Sequence, residues 1–266
     1  MRAHRKSPHF KQSRRAVHRD LPPQSNGDNL RIYGLHAVRA ALANPRRNIH
    51  AIYATPNAMQ RLDALQGAER PEMTTVTPQD LDRLLGEDTV HQGVLIEAEP
   101  LPDLRLRDLA QARLILFLDQ ITDPHNVGAI MRSAAAFGAD ALIMTARHSP
   151  PLQGALAKAA SGALEYVPVV LIPNLARALV EAGEMGFTRI GLDSEAEHAL
   201  EDLPAPERTA LVLGAEDRGL RRLTTENCDL ICALGTFGAI ASLNVSNAAA
   251  IALHLMAHKM KNRPRT

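Results

Sequence analysis

Residues 114–138 read LILFLD-QITDPHNVGAIMRSAAAFG, an unbroken apolar run from Leu114 to Leu118 that ends on Asp119 and leads into a second segment of helical character. An apolar run with no polar alternation belongs to a strand covered on both faces, the situation inside a parallel sheet. Asp123 followed by Pro124 supplies an N-cap acceptor and a first-turn proline, and Gly138 is placed to end the helix. Strand, loop and helix in that order make the first unit of an α/β fold.

The same alternation extends outward. Apolar runs recur at 141–144, 167–172, 190–192, 210–213 and 230–234, separated by helical stretches such as 175–186 and 245–256. That order implies a mostly parallel sheet flanked by helices. Upstream, helical spacing at 35–42, 59–65 and 81–85 alternates with short β-prone runs at 49–54, 74–77 and 94–96, a smaller α/β unit. Pro100, Pro102 and the charged stretch 103–108 read as a linker between them. The expected division is a basic arm at 1–28, a first domain at 29–100, a linker at 101–112 and a second domain at 113–262.

Composition narrows the function classes. The chain has 266 residues, 45% hydrophobic and 22% charged, with a formal charge of +1. Residues 1–20 hold seven arginines and lysines against Asp20 alone, a local +6, so the remainder carries −5. A detached basic segment rich in Pro, Ser and Gly downstream reads as a disordered arm suited to a polyanion or to solubility. Aromatic content is 3% with no tryptophan, which counts against single-strand readers built on stacking platforms. No run approaches the roughly 18 apolar residues of a membrane span. Cys228 and Cys232 cannot make a disulfide framework or a zinc cluster and read as buried thiols of a cytoplasmic protein.

In open parallel sheets ligands bind outside the carboxyl ends of strands, so the loops that follow strands carry the candidate chemistry. Three stand out. The first, after 114–118, holds Asn126 and, on the helix, Gly128 and Arg132, four apart and on one face, with Gly128 leaving space below the guanidinium. Asn126 and Arg132 form a donor-rich set suited to phosphate or ribose. The second, AlaLeuValLeuGlyAlaGluAspArgGlyLeu at 210–220, ends a strand at Gly214 and carries Glu216, whose side chain departs from the dinucleotide-binding glycine pattern. Gly214 is read as a place where a flat ring can lie on backbone. The third, at 234–249, carries Ser242, Asn244 and Ser246 just before an alanine-rich helix, able to cap it or to face a cleft.

Taken together, these three segments resemble the three motifs of the SpoU group of RNA ribose 2'-O-methyltransferases, within the SPOUT class, in order, spacing and strand context. Tyr33-Gly34-Leu35-His36-Ala37-Val38 and His91-Gln92-Gly93-Val94 look like the amino-terminal substrate-binding domain of the branch that methylates a guanosine of 23S ribosomal RNA. The resemblance implies a trefoil-knotted methyltransferase domain preceded by an L30e/L7Ae-like α/β domain, a homodimer, and S-adenosylmethionine held against Gly214, Leu234 and Leu243. It implies that Arg132 stands closest to the chemistry, with Asn126, Glu216, Ser242 and Asn244 positioning it or the RNA.

Direct displacement at a sulfonium needs no metal, and a guanidinium that stays protonated is better suited to clamping a phosphate than to removing a proton. One departure is visible: Leu234-Gly235-Thr236 stands where the family usually has Ile-Pro-Met, which frees the backbone at 235. Arg39, Arg46 and Arg47 are candidate phosphate contacts in the first domain. A tRNA ribose methyltransferase, a non-catalytic RNA-binding or ribosome-assembly protein, and an NAD-linked dehydrogenase are the competing readings; the last lacks its glycine fingerprint.

Overall fold

A computed structural model describes residues 29–62, 71–204, 206–239 and 242–261. The basic arm read at 1–28 and the carboxyl end of the helical stretch at 59–65 fall outside these residues. The first unit is a four-stranded sheet in the order β1-β4-β2-β3, formed by β1 (Leu30–Tyr33), β2 (Ile49–Ala54), β3 (Met73–Thr75) and β4 (Val94–Ala98). Its helices are α1 (Leu35–Ala43), α2 (Pro56–Leu62) and α3 (Pro78–Leu85). The two front motifs meet here: the Leu35 N–H donates to Gln92 Oε1 at 2.9 Å.

The second unit is a seven-stranded sheet in the order β7-β6-β5-β10-β8-β11-β9, with every pairing among the described residues parallel. Its strands are β5 (Leu114–Asp119), β6 (Ala141–Thr145), β7 (Val169–Ile172), β8 (Thr188–Leu192), β9 (His198–Ala199), β10 (Thr209–Gly214) and β11 (Leu230–Ala233). The apolar run 114–118 alternates between two cores. Leu114, Leu116 and Leu118 join the face covered by α4 (Pro124–Phe137) and α8 (Val245–Lys261), while Ile115 and Phe117 join the face covered by α6 (Leu175–Glu184). Two short helices missed by the apolar pattern complete the fold, α5 (Gly154–Ala160) and α7 (Arg222–Glu226). Residues 101–112 connect the sheets and are themselves packed: Leu106, Leu109 and Ala112 are buried on the α6 face.

The two units share one continuous apolar core, in which Val38 and Leu42 of α1 belong with Leu156 and Ala160 of α5 and with Leu164. A buried ion pair reinforces the junction. Arg47 Nη2 donates to Glu165 Oε1 at 2.8 Å, with 3% and 2% of the two side chains exposed, and Arg47 Nη1 donates to the Glu99 carbonyl. Arg47 is therefore not a phosphate contact, because its donors are spent inside the protein; Arg39 and Arg46 remain exposed.

The helix caps follow the residues read for them. Asp123 accepts from the N–H groups of His125 and Asn126, and Gly138 closes α4 with a left-handed φ of 71°. The space below Arg132 expected from Gly128 does not exist. A Cβ at Gly128 would stand 2.5 Å from Ala159 Cβ and 2.7 Å from the Leu156 carbonyl oxygen, so the missing side chain lets α5 press against α4.

Two outcomes follow. Gly128→Ala overpacks the α4–α5 contact and costs about 1–3 kcal/mol, read as a lower midpoint in urea, with the helix propensity of alanine offsetting up to about 1 kcal/mol. Burial pushes the Cys228 thiol up to about 12 and raises that of Cys232. Both stay protonated at neutral and mildly alkaline pH, so a thiolate-specific disulfide reagent at about pH 8 leaves native protein unlabelled and labels both after unfolding. Cys232 is buried as expected, whereas Cys228 is only half-buried; rapid native labelling contradicts the raised pKa of both thiols.

Candidate functional site

The carboxyl ends of β5 and β10 and the start of α8 bring three distant side chains into one hydrogen-bonded cluster. Asn126, in the first turn of α4, donates from Nδ2 to Glu216 Oε1 at 3.0 Å. Asn244, immediately before α8, donates from Nδ2 to Asn126 Oδ1 at 3.1 Å and also to Glu216 Oε1. The Val245 N–H donates to the same carboxylate oxygen at 3.2 Å. Glu216 thus caps α8, whose unpaired N–H groups and positive dipole end favour an anion there.

The third segment performs both of the functions read for it. Asn244 Oδ1 accepts from Ser246 N at 2.9 Å and from Ser246 Oγ at 2.6 Å, so one half of the amide caps the helix and the other half faces the cluster. Ser246 is therefore the residue that orients Asn244, a role the pattern left open. Ser242 is exposed and lines the adjoining cleft.

That cleft has a volume of about 370 Å³ and lies over the ends of β8, β10 and β11. Gly214, Leu234 and Leu243 all line it, beside Glu216 and Ser242. Its charge is one-sided: Asp193, Glu195, Glu216 and Asp217 face it against Arg218, and Arg218 is already paired with Asp217 at 3.4 Å. A cleft of this size with backbone groups at strand ends suits a small polar ligand, and its carboxylates suit one bearing positive charge. Among the described residues no group of three or more His, Cys, Asp or Glu is arranged to hold a metal.

Gly214 is required by the chain's own path. A Cβ there would lie 2.2 Å from the carbonyl carbon of Gly219 and 2.4 Å from Leu220 N, because residues 219–220 cross directly over the strand end. The side of Gly214 that a side chain would occupy is filled by protein, so a ligand approaches it from elsewhere. Asp119, missed as a site residue, secures this crossing. It is 1% exposed and accepts from Arg221 Nε at 2.6 Å, Arg221 N at 3.1 Å and Thr224 Oγ1 at 2.6 Å. Its signal was available: a carboxylate ending an apolar strand is buried and must find donors.

The backbone at Gly235 is not free, as the loss of proline suggests, but tied. Its N–H donates to Glu201 Oε1 at 3.0 Å, a bond that proline lacks the hydrogen to make. The residue 201 region is held in turn by Lys259 Nζ, which donates to the carbonyls of Leu200, Glu201 and Leu203. Asp193 and Glu195 were also missed, although they follow β8 by the same strand-end rule.

Arg132 does not join the cluster. It lies further along α4, exposed, and its side chain enters no hydrogen bond or ion pair among the described residues.

Residues 113–254 match the model of the SpoU rRNA Methylase family, and residues 31–104 match the model described as RNA 2'-O ribose methyltransferase substrate binding. The chain is 40% identical over 231 residues to the 23S rRNA (guanosine-2'-O-)-methyltransferase RlmB of Ralstonia nicotianae, covering 84% of this chain and 92% of that protein. Against the RlmB of Vibrio vulnificus it is 37% identical over 233 residues, covering 84% and 94%. The crystal structure of the SpoU methyltransferase AviRb from Streptomyces viridochromogenes in complex with AdoMet superposes with a TM-score of 0.74 over 88% of this chain and 91% of that one, at 23% identity, a likeness of fold. Matching the family model over more than half its length, and its curated relatives over nearly all of theirs, the chain belongs to the SpoU rRNA methylase family.

Proposed function

We propose that this protein transfers a methyl group from S-adenosylmethionine to the 2'-hydroxyl of an RNA ribose, and that its substrate is a guanosine of 23S ribosomal RNA. The observation that carries the reading is the joining of Asn126, Glu216 and Asn244, from three strand-end segments, at the mouth of an acidic cleft. The substrate assignment is supported by the relatives that match over nearly their whole length and by the substrate-binding match at the front of the chain.

The residues present fit the donor. Four carboxylates against one paired arginine complement a sulfonium cation, and Gly214, Leu234 and Leu243 offer strand-end backbone to an adenosine. When bound, S-adenosylmethionine supplies an activated methyl whose C–S bond breaks as the C–O bond to ribose forms. Asn126 and Asn244, fixed by Glu216 and Ser246, orient the acceptor sugar. Alignment of this kind converts a two-body encounter into a one-body step.

Arg132, exposed and with every donor of its guanidinium available, clamps the neighbouring phosphate and stabilises charge developing on the 2'-oxygen as its proton passes to solvent water. The reading includes residues 29–100 as the RNA-binding domain and 113–262 as the catalytic domain. It includes a homodimer as well, supported by an exposed apolar side chain on α8, Ile251 at 42% exposure, one helical turn before His254. A knotted path is supported by insertion of β10 between β5 and β8 and by the crossing over Gly214.

Incubation with methyl-labelled donor and unmodified 23S rRNA is expected to label a guanosine ribose, mapped by alkali-resistant linkage, and to leave tRNA unlabelled; label on a base or on tRNA overturns the assignment. Arg132→Ala is expected to lower turnover by about 10²–10³-fold, the usual cost of losing one transition-state donor. Arg132→Lys should also fall at least about tenfold, with donor binding intact, because a single ammonium cannot reproduce a forked contact. Asn244→Ala removes both a helix cap and the link to Glu216. A loss of about 0.5–2 kcal/mol in stability should accompany a larger loss of turnover than of donor affinity, measured by calorimetry.

A further inference from the structure

We infer that a second cleft, over the carboxyl ends of β5, β6 and β7, binds the phosphate backbone of the RNA substrate beside the acceptor nucleotide. This inference rests on the reading of the chain as an RNA methyltransferase. The cleft measures about 490 Å³ and is lined by Arg147, His148, Arg221 and Arg222, with Gln120 and Asn174 and no carboxylate in its lining. The sheet edge is therefore divided by charge: acidic over β8, β10 and β11, where a cation fits, and basic over β5, β6 and β7, where a polyanion fits.

One segment forms the partition. Residues 217–219 line the acidic cleft and residues 221–222 line the basic one. Two residues of chain span at most about 7 Å, so a strand of RNA whose phosphate occupies the basic cleft has its neighbouring sugar within reach of the donor side. The arginines are prepared differently. Arg221 is fastened by Asp119 through Nε and its own N–H, while its Nη groups enter no hydrogen bond among the described residues. Among the described residues Arg222 pairs with Glu226 alone, both substantially exposed, an interaction of little energetic weight that a phosphate can replace.

Arg147 is exposed with its guanidinium unpaired among the described residues, and Leu223, 54% exposed, offers an apolar surface to a sugar or base. Four non-glycine residues among those described hold a left-handed φ, and two of them, Gln120 at 58° and His148 at 70°, line this cleft. Backbone held in that region is maintained by surrounding structure and gathers at functional sites.

The test uses the full-length protein and filter binding of a 23S rRNA transcript across a salt series. For Arg147→Glu combined with Arg222→Glu, binding is expected to weaken at least about tenfold near 0.1 M salt. The dependence of log Kd on log salt should become shallower by about 0.7 for each phosphate that is no longer neutralised. Donor affinity by calorimetry and the melting temperature should stay at wild-type values, and Arg147→Lys should restore most RNA binding.

Wild-type RNA affinity and slope in the double variant overturn the proposal, as does a parallel fall in donor affinity. So does loss of inorganic phosphate binding with RNA binding untouched, which would mark a small-anion site. RNA binding is read without turnover, so the two readings fail separately. Arginine-dependent binding by a protein that never methylates removes the enzymatic reading alone, and undiminished binding by the variant of a working enzyme removes the cleft alone.

Discussion

A single carboxylate oxygen, Glu216 Oε1, gathers hydrogen bonds from Asn126, Asn244 and the first N–H of α8, and the geometry of the site depends on it. The partners come from two strand-end segments and Glu216 itself from a third, so the oxygen acts as the point where α4, the β10 loop and the start of α8 are registered against one another. Charge-assisted bonds to a carboxylate are stronger than neutral ones, and here the helix terminus adds its own field. The cluster is largely open to solvent, so its order comes from the number of its bonds and from the packed elements beneath them. Asp119 performs the buried counterpart of this task, pinning Arg221 and Thr224 where the chain crosses Gly214.

The carboxyl edge of the large sheet is also organised by sign. In the proposed reaction the donor is cationic and the acceptor strand is polyanionic, and placing opposite charges on the two halves of one edge draws each to its own side. It also resists exchange, since like charges across an interface disfavour the wrong occupant. The arrangement is made by short strand-end loops, which tolerate polar residues without disturbing the apolar layers below.

The substrate-binding unit is not tethered loosely to the sheet that carries the site. Its helix α1 shares an apolar core with α5, and the buried Arg47–Glu165 pair spans the boundary. Removing one partner from such a pair leaves an uncompensated buried charge, so the junction favours one geometry. In the proposed reaction, a rigid connection of this kind transmits the position of RNA held on the first unit to the strand ends of the second.

Much of this was readable in the sequence because local chemistry determines it. The unbroken apolar runs at 114–118 and 210–213 specified buried parallel strands, Asp123-Pro124 and Gly138 specified the limits of α4, and the three strand-end loops contained the residues that come together. Other features depend on approach between distant segments, which no local pattern encodes. The empty position at Gly128 serves α5 rather than Arg132, Gly214 serves the crossing of residues 219–220, Arg47 is consumed by Glu165, and the Gly235 N–H is taken by Glu201. The sequence by itself determined the strand and helix periodicity, because that follows from near neighbours along the chain, while the family of chemistry was visible in it as a resemblance carried by three separate segments. Only the tertiary structure decided which glycines are contact points and which arginines remain available, because a side chain's partners are set by what folds against it.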